Sequence, residues 1–63
     1  MNVAKYLKEL QEESMQLYIK KTLENFRISK AKLVDMLLTE RESTNSMTDA
    51  AEAVSTRLKY YMI

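Results

Sequence analysis

The chain has neither glycine nor proline anywhere in its 63 residues. Tight turns and hairpins depend on those two residue types, glycine for its access to positive φ and proline for its fixed φ. A β-rich fold of this length without either has no ready way to reverse its chain. Helices joined by short polar connections need neither. Leu, Lys, Glu, Ala and Met recur along the sequence, and all of them favour helix. The expected class is therefore all-α, in one domain spanning residues 1–63.

Size adds a second constraint. A chain this short buries only about 60% of the surface that its unfolded form exposes, so small domains usually recruit a disulfide, a metal or a partner chain. With no Cys and no His, disulfides and soft or imidazole metal ligands are unavailable. Self-association remains, and a homodimer is the expectation. The same two absences remove the imidazole base and the thiolate nucleophile. Without glycine there is no phosphate-cradling loop. A non-catalytic protein with no cofactor and no metal is expected. Lys5–Glu9, Lys8–Glu12 and Lys20–Glu24 have the four-residue spacing of helix-surface ion pairs. No apolar run approaches the about 20 residues that cross a bilayer. Residues 1–8 carry no apolar stretch of secretory-signal type. A cytoplasmic protein that does not enter membranes is expected, which suits a chain without cysteine.

Apolar spacing predicts three helices, over about 2–25, 29–41 and 48–62. The first carries two stripes. Val3, Leu7, Leu10 and Leu17 follow the alternating four-three spacing of a coiled-coil seam, with Ser14 filling the gap. Met15, Ile19, Leu23 and Phe26 form a second stripe, about 150° away at about 100° per residue. The second stripe leads into the next helix and is expected to face the intrachain core. The first, Val3, Leu7, Leu10, Ser14 and Leu17, is then the candidate dimer or partner interface. The absence of Gly and Pro favours an unbroken first helix. The alternative is a break near Glu12, Glu13 and Ser14, with each half packing inward and Ser14 as an N-cap.

The second helix has a defined start. Ser29 suits an N-cap, and Ile28 and Leu33 fit a hydrophobic staple across it. Leu33, Val34, Met36, Leu37 and Leu38 make it apolar over more than half its circumference, as a central helix requires. Glu42 to Ser46 reads as a loop, with Ser46 or Thr48 available to cap the third helix and Asp49 near its positive end. Met47, Ala51, Val54, Leu58 and Tyr61 are the expected buried stripe of that helix. Ala50, Ala51 and Ala53 are small enough for close approach. Tyr60-Tyr61-Met62-Ile63 is expected to dock rather than hang free.

The formal charge of +1 is too small to argue for a polyanionic partner, but its distribution is uneven. Lys20, Lys21, Arg27, Lys30 and Lys32 fall within thirteen residues and are opposed there only by Glu24. Residues 22–37, Thr22-Leu23-Glu24-Asn25-Phe26-Arg27-Ile28-Ser29-Lys30-Ala31-Lys32-Leu33-Val34-Asp35-Met36-Leu37, resemble the core of the helix-turn-helix DNA-binding regulators. Ile28, Ser29, Leu33 and Met36 match that pattern. Leu23 stands where a small Ala is usual. Arg27 stands where the family has a Gly in left-handed conformation. The resemblance implies a groove-facing set of Lys30, Ala31, Lys32 and Asp35, with Lys20, Lys21 and Arg27 on phosphates.

The start at Ile28-Ser29 also resembles the second helix of ribbon-helix-helix regulators. That family needs an upstream strand, and Leu7 to Gln11 has helical spacing instead. In apolar pattern alone, the helix pair resembles the two-helix dimerisation hooks of small bacterial regulators and their antagonists. Two readings stay open: a dimeric regulator of double-stranded DNA, and a helical module that binds another protein as adaptor, inhibitor or antagonist.

Overall fold

The computed structural model describes residues 3–61, with the side chains of residues 4–60. Among these residues all regular structure is helical: α1 (Val3–Gln11), α2 (Glu13–Asn25), α3 (Lys30–Glu42) and α4 (Met47–Tyr61). The expected count of three helices is therefore corrected to four, because the first helix divides at Glu12. There the backbone turns extended, with φ −61° and ψ 144°, and no side chain caps α2. Ser14, the residue expected to cap such a break, lies inside α2.

The reason for the division lies in packing, not in a local breaker. A straight helix over residues 3–25 would send its two stripes about 150° apart. Only one of them would then reach the core. The corner at Glu12 re-aims α1, so that Tyr6 and Leu10 join Met15 and Ile19 in a single buried cluster. The corner is partly closed from within. The Gln16 amide donates to the Leu10 carbonyl at 2.7 Å, capturing an acceptor that the broken helix leaves free.

α3 and α4 form a hairpin and the heart of the core. Leu33, Leu37, Ala50 and Val54 are fully buried, with Leu38, Met47, Ala51 and Leu58 nearly so. Four of the five residues expected on the buried stripe of α4 are thus inside. Tyr61, the fifth, has a side chain outside the described residues, as do Met62 and Ile63. Tyr60 is 80% exposed, so that part of the expected C-terminal docking does not occur. Ser46 caps α4, its Oγ accepting from the Asp49 N–H at 3.1 Å.

Polar contacts tie the helices to one another. Tyr18 of α2 donates its hydroxyl to the Ala51 carbonyl of α4 at 3.1 Å. That uses its one proton and leaves Ser55 to donate back across 3.0 Å. Arg57 pairs with Glu40 at 2.7 Å, joining α4 to α3. Arg41 holds α1: its Nε donates to Glu9 at 3.1 Å, its guanidinium lies 4.9 Å from the Tyr6 ring centre, and Nη1 reaches the Thr44 carbonyl. Among the described residues these two are the ion pairs. The expected Lys5–Glu9, Lys8–Glu12 and Lys20–Glu24 pairs do not form. Glu9 is held by Arg41, and Lys5 sits 5.3 Å from the Tyr6 ring centre.

Leu58 is buried on the α3–α4 contact. Leu58→Ala is expected to destabilise the fold by about 2–5 kcal/mol in urea denaturation, the range for an emptied leucine site. A variant as stable as its parent would mean that α4 is peripheral.

Candidate nucleic-acid interface

The basic residues cluster where α2 ends and α3 begins. α2 terminates at Asn25, and the Phe26 N–H returns to the Thr22 carbonyl at 2.9 Å. Phe26 and Ser29 are extended, and between them the Ile28 N–H returns to the Phe26 carbonyl at 3.0 Å, closing a tight three-residue turn on Arg27. Phe26 and Ile28 pack against the core, whereas Arg27 and Ser29 face water. The apolar pair fixes the turn and aims Arg27 outwards. Ser29 starts α3 as expected, its Oγ accepting from the Lys32 N–H at 3.2 Å. Ile28 and the buried Leu33 lie on either side of it, as a staple requires.

No described residue has a positive φ. Arg27 accordingly does not take the left-handed geometry that glycine supplies in helix-turn-helix proteins, and the reversal is made by the three-residue turn from Phe26 to Ile28 instead.

Lys20, Lys21, Arg27, Lys30, Ala31, Lys32 and Asp35 are all exposed. None of the five cations among them enters an ion pair with a described residue. Glu24 and Asp35 are the flanking carboxylates, both in water. α3 directs its N-terminus into the same patch. That end carries a partial positive charge of roughly half a unit, from N–H groups that no earlier turn accepts. The geometry can attract and hold a polyanion along an open surface. Lys32 and Asp35 also line an open cleft of about 180 Å³ that runs to Glu40 and Arg57.

The positions expected to form a dimer seam are dispersed by the corner at Glu12. Leu10 is buried in the chain's own core, whereas Leu7 and Leu17 remain 45% and 52% exposed. Ser14 is exposed and lines a groove of about 560 Å³ between α2 and α4, together with Met15, Tyr18, Thr48 and Glu52. The side chain of Val3 lies outside the described residues. Sequence reasoning also missed the roles of Arg41 and Gln16. Arg41 meets Glu9 across 32 positions of sequence, and no local pattern marks such a contact. Gln16 has a nearer signal, a polar residue one turn beyond a candidate break.

No protein-family description matches the chain, and no curated protein or solved structure proved similar to it. Among the described residues no helix is long and apolar enough to cross a membrane.

The cap at Ser29 sets where α3 starts, and hence where Lys30 and Lys32 stand. Ser29→Ala is expected to cost about 0.5–2 kcal/mol of stability, as lost N-caps do, while Ser29→Asp should retain most of it. Equal stability of all three proteins in chemical denaturation would show that the cap is not what fixes this end.

Proposed function

We propose that the chain is a non-catalytic regulatory binding protein whose basic turn between α2 and α3 engages the phosphate backbone of double-stranded DNA. The observation that carries the reading is the state of Lys20, Lys21, Arg27, Lys30 and Lys32. All five are exposed, all are without an ion-pair partner among the described residues, and all are gathered at one helix junction. Each phosphate neutralised by such a cation releases condensed counterions, so affinity follows from the number of phosphates engaged and falls with salt. Lys30 and Lys32 flank the positive end of α3, where an anionic oxygen gains from both the side chains and the helix terminus. Lys20 and Lys21 extend the surface along α2. Contacts of this kind position a protein on a duplex without reading its bases.

A second reading, a helical module for a protein partner, has its own observation. Leu7 and Leu17 are large, apolar and about half exposed. Exposed apolar patches mark contacts more often than single scattered residues do.

Fluorescence anisotropy with a labelled random-sequence duplex distinguishes the two. Binding at low ionic strength should weaken steeply as salt rises. Replacing Lys30 and Lys32 together by Ala should weaken it further and reduce the slope of log affinity against log salt by about 2, near one unit for each phosphate no longer neutralised. Helical content should be unchanged, since both lysines face water. Absence of duplex binding at low salt would end the nucleic-acid reading and leave the protein partner.

A further inference from the structure

Arg57 is remote in sequence from the basic turn, yet the fold brings it to the same surface. It lies on α4, and it lines one open cleft with Lys32, the last cation of the turn. Asp35, Met36 and Thr39 line the cleft between them. They follow Lys32 at helical spacing, so the four make one face of α3. Arg57 closes the far end of that face, where its Nε donates to Glu40 at 2.7 Å. Lys32 therefore belongs both to the turn and to a cleft with a cation at each end.

The four charges of the cleft sum to zero, but they are not equally placed. The Glu40 side chain is 16% exposed and that of Arg57 59% exposed. The carboxylate is set back against the protein, and the guanidinium stands outward over it. Glu40 meets the Nε proton, and a guanidinium carries further N–H donors for a second anion. The rise from Lys32 to Glu40 is about 12 Å at about 1.5 Å per residue, close to the about 12 Å width of the DNA major groove. A cation at each end of the face can then meet a phosphate on each rim. Asp35 would repel a phosphate, and its place between the two cations keeps it off both rims, towards base edges that offer amino donors. We infer that Arg57, anchored by Glu40, is a further phosphate contact of the duplex surface, across one groove from Lys32. The inference rests on the duplex-binding reading of the basic turn and adds to it a contact from α4.

Fluorescence anisotropy of the full chain with a labelled random-sequence duplex, over a range of salt, tests it. Glu40→Gln combined with Arg57→Gln leaves the net charge of the protein unchanged, so any effect on binding comes from where the charge stood. An ion pair with one partner largely in water adds little to stability, so the double variant should keep the parent's helical content. Its affinity should fall roughly tenfold at low salt, and its slope of log affinity against log salt by about 1, the change for one phosphate no longer neutralised. Arg57→Lys keeps the charge and should keep the slope. Should the double variant lose helix, Arg57→Gln alone carries the same test, with the same change in slope. Parent-like affinity and slope in the Arg57→Gln proteins, while replacement of Lys30 and Lys32 lowers both, would overturn this inference and leave the basic turn as the site. Absence of duplex binding by the parent would overturn both readings together.

Discussion

Two apolar stripes about 150° apart on one stretch of helix cannot both face one core, and the chain resolves that conflict by dividing the helix. Dividing the helix at Glu12 brings Tyr6 and Leu10 inside. It leaves the N–H groups of Glu13, Ser14 and Met15 without acceptors in α1. Each such bond contributes about 0.5–1.5 kcal/mol net. Burial of Leu10 alone returns about 1.5–3 kcal/mol, and the ring of Tyr6 adds to it. Gln16 recovers one carbonyl, and Arg41 binds α1 to the end of α3. The two sides of this balance are close, which is why a few polar contacts decide the outcome. α1, folded back, adds Tyr6 and Leu10 to a core whose heart is α3 against α4, with Leu33, Leu37, Ala50 and Val54 fully buried.

The same topology separates charge. The net value of +1 conceals an uneven surface: five exposed cations gather with Glu24 and Asp35 at the α2–α3 turn, while Lys5, Lys8 and Lys59 and the other exposed carboxylates lie elsewhere. Glu12 and Glu13 lie at the corner, Glu42 at the end of α3, and Asp49 and Glu52 at the start of α4. Ser14 and Glu52 line one groove, which places the corner beside the start of α4. Fields of this kind act over about a Debye length, near 8 Å at physiological salt. The basic turn therefore presents its own sign to a ligand despite the near-neutral total. Glu9 and Glu40, the carboxylates within reach of arginine, are held by Arg41 and Arg57. Among the described residues the five cations of the turn keep no such partner.

Much of this was legible locally. Ile28, Ser29 and Leu33 announce the start of α3 because caps and staples are contacts between near neighbours. The α4 stripe from Met47 to Leu58 follows helical periodicity alone, and Ser46 caps it from the adjacent position. The cations of the candidate interface are near neighbours in sequence, so their clustering was visible too. The break at Glu12 was legible only as the alternative to an unbroken helix, because Glu12, Glu13 and Ser14 accept helix readily and the decision is made by what Tyr6 and Leu10 can touch. For the same reason Leu10 parted from Leu7 and Leu17, with which its spacing groups it. Arg41 showed nothing of its role, since its partners Glu9 and Tyr6 are brought to it only by the finished fold. The turn at Arg27 likewise solved a reversal without glycine, by a tight three-residue turn between two half-buried apolar side chains.

The claim on which the rest stands is that packing divides the first helix at Glu12 in the monomer. Carbon chemical shifts of the dilute protein, with nuclear Overhauser contacts to the Tyr6 ring, test it most directly. The account predicts helical shifts on either side of Glu12, an extended value at Glu12 itself, and contacts from the Tyr6 ring to the Arg41 side chain. Uninterrupted helical shifts across residues 9–16, with no contact between Tyr6 and Arg41, would contradict it.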